Sequence, residues 1–340
     1  MGRDAMPGGL RIFVVGATGT IGRATVRALV RHGHEVVCFL RGPAPSNPGE
    51  DSAGEDSPTL SAKSEVTARH GDVTDPLSIQ RDGFRGERFD AVVSCMASRT
   101  GAPKDAWAID HQAHLHLLEA AQTAGVTHFV LLSAICVQKP RLAFQHAKLA
   151  FERRLTDSGL TWSIVRPTAY FKSLSGQVDR VKAGKPFLVF GDGTLTACKP
   201  ISDDDLAEYM AECLTDPSRH HRILPIGGPG DAITPLDQAE HLFALLEREP
   251  RIRRVPVALL EGIAGGLGLL ARAIPSLRAK AEFARIGCYY ATESMLLWDE
   301  EAGRYDADAT PSTGSETLFD YYGKLVRGET SVERGEHTVF

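Results

Sequence analysis

The chain has no excess of basic residues. Its 38 lysines and arginines stand against 43 aspartates and glutamates, for a formal net charge of −5. Without a basic stripe there is no electrostatic footprint for nucleic acid. Cysteine is sparse, and none of the six (Cys38, Cys95, Cys136, Cys198, Cys213 and Cys288) forms a Cys-x-x-Cys pair. That excludes a disulfide framework and a thiolate metal ribbon, and reads as reduced, mostly buried thiols of a cytoplasmic protein. His111, His114 and His116 are spaced by three and then two and cannot all share one helix face, so no metal site is expected. There is no apolar run fit to span a bilayer. The nearest, residues 257–274, is interrupted by Glu261 and Arg272 and loosened by Gly262, Gly265, Gly266 and Gly268. Internal repeats are absent, and the opening residues are too short and glycine-rich for a signal peptide, so direct cytosolic synthesis is the expectation.

Glycine, by contrast, is placed with purpose. Gly16, Gly19 and Gly22 follow an apolar run ending at Val15 and open a helix-like run at Ile21. Gly16 permits a tight turn, Gly19 lets backbone N–H groups approach a pyrophosphate, and Gly22 lets the new helix pack closely on the strand. The phosphates then lie against the positive end of that helix. Thr18, Thr20 and Ile21, in the same turn and helix start, join the glycines as cofactor-binding candidates. Arg41 ends the second strand, where an NAD site would place a carboxylate against the ribose 2′-hydroxyl. A guanidinium there suits a 2′-phosphate, so NADP(H) is favoured over NAD(H).

Strand-like runs at 12–15, 36–40, 66–70, 91–94, 129–133 and 162–166 alternate with amphipathic helical stretches. That rhythm predicts an α/β fold, a Rossmann-type doubly wound parallel sheet. Residues 9–172 form the expected NADP(H)-binding core, with a flexible surface loop over 42–64 that is rich in Pro, Ser, Gly and acids. Residues 173–330 form the expected smaller α/β lobe covering the substrate, with part of the chain returning to the core sheet. Ligands in such sheets bind beyond the carboxyl ends of the strands. Asp72 and Val73 are therefore expected to face the adenine, Ser94 and Ser98 to pass under the riboses, and Ser133 to approach the nicotinamide. Pro167 and Thr168 are expected to flank its carboxamide.

These residues resemble the short-chain dehydrogenase/reductase superfamily, with one departure. Where the superfamily carries Tyr-x-x-x-Lys, this chain has Phe144 and Lys148, so the phenol that protonates an alkoxide is missing. A closer resemblance runs from about residue 11 to 325. Over 90–102, 128–141, 144–153, 159–179, 185–194, 197–203, 224–231 and 285–296 the chain is similar to the NADPH-dependent divinyl chlorophyllide 8-vinyl reductases. The runs SAICVQKP and ACKPIS are the specific ones, and Phe144 fits that family.

The resemblance implies an oxidoreductase acting on a CH–CH group, with NADPH as cofactor and a divinyl chlorophyllide or protochlorophyllide as its tetrapyrrole substrate, in chlorophyll or bacteriochlorophyll synthesis. On this reading Lys148 reaches the nicotinamide ribose and Tyr170 donates a proton from the substrate side. The alternative is a non-catalytic NADP(H) redox sensor. The apolar stretch 257–274 reads as a helix packed on the smaller lobe, or else as a lid or interfacial surface suited to peripheral contact with a photosynthetic membrane.

Overall fold

The structure is a computed structural model describing residues 9–42 and 66–331. Beyond Gly42, the stretch read as a loop over 42–64 lies outside the described residues. Strands β1 (Arg11–Val15), β2 (Glu35–Arg41), β3 (Val66–Gly71), β4 (Ala91–Ser94), β5 (His128–Leu132) and β6 (Thr161–Pro167) fall where the apolar runs predicted them. All but the edge strand β3 are buried on both faces: in β1, Ile12 and Val14 enter one core, Phe13 and Val15 the other. Such strands need helices on both sides. Helices Thr20–Arg31 and Asp203–Glu212 cover one face, and His114–Thr123 and Ala143–Thr156 the other.

After β6 the chain forms β7 (Ala169–Tyr170), β8 (Phe187–Phe190) and β9 (Pro200–Ile201), then re-enters the sheet at β10 (Arg222–Ile226), which pairs with β6. Among the described residues the main sheet has seven strands, all parallel, in the order β10-β6-β5-β4-β1-β2-β3. Because β1 lies between β2 and β4, crossovers leave it in opposite directions and a crevice opens beyond Val15 and Ser94.

The remaining elements gather on a second core built from Phe171, Val181, Phe187, Phe243 and Tyr322. Strand β8 pairs in parallel with β11 (Ile252–Val255). Helices Pro235–Leu245 and Leu318–Arg327 begin with reciprocal capping boxes, Thr234 with Asp237 and Thr317 with Asp320. An antiparallel pair, β12 (Leu297–Asp299) and β13 (Arg304–Asp306), precedes a strap that returns to the sheet. There the Gly227 N–H donates to Pro311 O at 2.8 Å and the Thr313 N–H to Gly227 O at 2.9 Å.

Residues 257–274 do not pack on this second core as expected. Helix Val257–Ala273 lies against helix Arg278–Thr292, and only Ala264 and Ala271 of it are buried. These two small side chains, seven residues apart, lie on one stripe and let the helices approach. Among the described residues, no helix is long and apolar enough to cross a membrane.

Candidate active site

The turn after β1 is shaped by its glycines. Gly16 has φ +77°, and a Cβ there would lie 2.5 Å from the Cys95 carbonyl carbon. A Cβ on Gly22 would lie 2.0 Å from Gly16 O. Gly19 is the N-cap of helix Thr20–Arg31 and gives that helix no side-chain cap, and its first turn holds no acid. The amino end of the helix is therefore left with unpaired N–H groups and a positive field, in a cradle that a side chain would fill. These residues fit a dinucleotide diphosphate.

Two cations stand at this cradle. Arg23 Nη1 donates to Thr18 O at 2.8 Å, and Lys172 Nζ donates to Thr20 Oγ1 at 3.0 Å. Lys172 lies 152 residues away in sequence and carries no local motif, so nothing in the chain pointed to it. Thr18 is exposed and Thr20 and Ile21 are half-buried along the same rim. At the far corner Arg41 is exposed at the end of β2, in register with Gly71 of β3. Two hydrogen bonds from Thr74 hold the Asp72 carboxyl below its usual range, and Arg41 adds to the effect. The Asp72 carboxylate thus serves its own loop, while Val73 is 9% exposed and belongs to the core with Phe13 and Phe39.

Two serines expected in the crevice are turned away from it. Ser94 is fully buried, with its Oγ 2.8 Å from His114 Nε2. His114 Nδ1 lies 2.8 Å from Ile109 O, which can only accept. Burial pushes the imidazole pKa down to about 4, so the ring is neutral, Nδ1 carries the hydrogen and Ser94 donates to Nε2. Ser133 follows Phe129 and Leu131 on the face beneath helix Ala143–Thr156, where it donates to Glu152, itself paired with Arg166. The strand alternation that buries Phe129 and Leu131 carries Ser133 with them and leaves Ala134 beside Phe144. Thr168, 8% exposed, donates its hydroxyl to Lys199 O. Pro167 ends β6 beside it.

Lys148 lies one helical turn from Phe144 on helix Ala143–Thr156. Its Nζ lies 3.1 Å from Asp110 Oδ1, with the two side chains 11% and 0% exposed. The Ser98 N–H donates to the same oxygen at 3.2 Å. Asp110 was missed because a carboxylate beside three histidines reads as part of a solvated helix; its role comes from a packing partner on another helix.

The mouth of the crevice is closed by a late segment. Gly101 sits where a Cβ would lie 2.9 Å from Ile286 Cδ1 and 3.6 Å from Phe144 Cδ1, so helix Arg278–Thr292 is packed directly over the loop after β4. Tyr289 donates from its hydroxyl to Cys136 O at 2.9 Å and Lys139 O at 3.1 Å. Tyr290 is 38% exposed, yet its hydroxyl turns inward to Cys136 Sγ at 3.9 Å. Burial raises the pKa of Tyr290, and of Tyr170 across the crevice. Both phenols therefore keep their protons at neutral pH. Burial also raises the Cys95 thiol to about 11 and the Cys136 thiol above its usual value, so neither is a ready nucleophile.

A doubly wound sheet with a glycine cradle at its switch point defines a dinucleotide-binding protein, and residues 16–217 match the NAD(P)H-binding family. An NADPH-dependent quinone oxidoreductase from Escherichia coli, solved with NADPH, shares the fold with a TM-score of 0.64 and 17% identity, covering 93% of this chain and 99% of its own. Nearer relatives define the family more narrowly. The chain is 46% identical to the chloroplastic divinyl chlorophyllide a 8-vinyl-reductase of Oryza sativa subsp. indica, over 99% of this chain and 84% of that protein. With the Zea mays protein of the same name the identity is 47%, over 97% of this chain and 82% of the relative. The chain belongs to the divinyl chlorophyllide a 8-vinyl-reductase family.

Proposed function

We propose that this protein reduces the 8-vinyl group of a divinyl chlorophyllide to ethyl with NADPH. The observation that carries the reading is near-50% identity along almost the whole chain to reductases of that name, in a site where Phe144 stands in place of a proton-donating phenol. The chemistry does not need that phenol. The terminal vinyl carbon takes a hydride, the inner carbon takes a proton, and the conjugated macrocycle spreads the negative charge between the two events. No alkoxide forms, so no acid is required at the Phe144 position.

Bound in the glycine cradle, NADPH supplies the hydride. The chain's own residues do the rest. Gly16, Gly19, Gly22 and the helix start seat the diphosphate, with Thr18, Thr20 and Ile21 along its rim and Lys172 adding charge. Lys148, fixed by Asp110, holds the nicotinamide ribose. Phe144 and Ile286 exclude water from the reacting carbons. Tyr170, protonated at working pH, is the proton donor of this reading, with Tyr290 facing it from the covering helix. Residues 9–172 hold the cofactor and 173–330 cover the pigment. The reading includes a cytoplasmic protein in peripheral contact with a photosynthetic membrane.

Purified protein given 3,8-divinyl chlorophyllide and NADPH is expected to yield the 8-ethyl pigment, scored by chromatography and a blue shift of the Soret band. Unchanged pigment beside tight NADPH binding would replace the reductase reading with a redox sensor. Arg41 gives a second check. Its charge-assisted hydrogen bonds to a 2′-phosphate are worth about 1.5–3 kcal/mol. Arg41→Ala is therefore expected to raise the KM for NADPH by roughly 10- to 100-fold while leaving the KM for NADH unchanged. Equal losses with both cofactors would remove Arg41 from the phosphate site.

A further inference from the structure

Among the described residues, the outward face of helix Val257–Ala273 is left exposed. Leu259 is 55% exposed, Ile263 47%, Leu270 51% and Ile274 46%. Their spacing of four and seven puts Leu259, Ile263 and Leu270 on one stripe, about 100° round the helix from the side held by Ala264 and Ala271, and Ile274 follows as the C-cap residue. Leu269 flanks the stripe at 65% exposure, and Phe283 on the neighbouring helix is 48% exposed. Of the eleven large hydrophobic side chains exposed among the described residues, these six fall within 259–283. Of the helix glycines, Gly268 faces the neighbouring helix, where a Cβ would lie 3.1 Å from Arg285 Nη2, but a Cβ on Gly262, Gly265 or Gly266 would meet nothing within 4 Å.

Charge tells what the stripe faces. Arg251, Arg253 and Arg254 precede the helix and Arg272, Arg278 and Lys280 end or follow it, all exposed, with Glu261 the one acid between them in the sequence. This segment is strongly cationic in a chain of net charge −5. A second copy of the chain on a two-fold axis would bring the same cations against one another. Protein interfaces are also anchored mainly by Tyr, Trp, Arg and Met, whereas this stripe is Leu and Ile. An apolar stripe bordered by arginine and lysine suits the boundary between anionic headgroups and acyl chains. At 17 residues the helix is about 25 Å long, short of a hydrocarbon core of about 30 Å, and it carries Glu261 and Arg272, so it lies in the interface rather than across it.

We propose that the helical hairpin 257–292 docks the protein on an anionic lipid bilayer through the stripe Leu259, Ile263 and Leu270, with Ile274 at its end. The inference deepens, and rests on, the peripheral membrane contact of the proposed function, and assigns it a surface and a lipid chemistry. It also brings the crevice towards the bilayer, because the second helix of the hairpin carries exposed Phe283 one and two turns before Ile286 and Tyr290 at the mouth. An amphiphilic pigment can then pass from lipid to site without crossing bulk water.

The test is co-sedimentation of the full chain with vesicles of phosphatidylcholine mixed with phosphatidylglycerol, against vesicles of phosphatidylcholine alone. Binding is expected to the anionic vesicles, weakening with salt, and to fall roughly tenfold or more in the variant Ile263→Glu with Leu270→Glu. NADPH binding and far-UV circular dichroism of the variant report that it is folded. If the wild type binds vesicles and the variant binds equally well, the membrane contact stands and the hairpin assignment is overturned. Failure of the wild type to bind anionic vesicles overturns both; if it is then a dimer that the variant splits, a second copy is the occupant of the stripe. Pigment reduction in solution, scored separately, reports on the reductase reading alone.

Discussion

Replacing Gly22 with alanine is expected to raise the Kd for NADPH by roughly 100-fold or more. The added Cβ would lie 2.0 Å from Gly16 O, 2.8 Å from the Gly16 carbonyl carbon and 2.9 Å from Ala17 Cα. All three are backbone atoms, so no side chain can swing aside, and the helix must withdraw from the turn by about 1 Å to reach ordinary contact. That movement separates the helix amino end from the diphosphate it faces. Overpacking of this kind also costs about 1–3 kcal/mol of stability. A fluorescence titration with NADPH and a thermal melt measure the two effects. A Kd within threefold of wild type would mean that the turn and helix do not grip the cofactor together.

Lys148→Ala should be both unstable and inactive, and the two defects can be separated. Lys148 Nζ is 3.1 Å from Asp110, whose side chain is 0% exposed. Removing the lysine leaves a buried carboxylate without its countercharge, a loss of about 3–5 kcal/mol. Adding Asp110→Asn in the same chain removes the stranded charge and should restore most of the melting temperature. Turnover should stay down by roughly 100-fold or more, because the ammonium that the proposed function assigns to the ribose is still missing. If the double variant recovers turnover along with stability, Lys148 has only a structural role.

Most strands were legible because parallel strands buried on both faces are short, continuous apolar runs bounded by turn or helix signals, while the edge strand β3 is mixed and half-exposed. The glycine turn was legible for the same reason that it works: Gly16 and Gly22 sit where backbone meets backbone, and no other residue fits. The direction of a side chain just past a strand was harder to read. Ser133 and Ser94 were assigned to the crevice by position, but the alternation that buries Leu131 and Val92 decides their faces. Contacts between distant segments left no trace in spacing. Lys172 meets Thr20, Asp110 meets Lys148, and Tyr290 meets Cys136 only after the chain has folded. Residues 257–274 gave composition without an address, since an apolar helix reads alike whether its partner is the same chain or something outside it.

The contact between Tyr290 and Cys136 joins positions 154 residues apart, and it sets an order in time during synthesis. Chains emerge from the ribosome amino end first at about 5–20 residues per second, so the covering helix arrives roughly 8–30 s after the wall it covers. Through that interval the glycine cradle and the floor beneath Lys148 can fold while the mouth stands open. A dinucleotide can enter before the pigment has any place to bind. On the proposed reading, the emerging chain can hold its reductant before helix Arg278–Thr292 is there to complete the substrate surface.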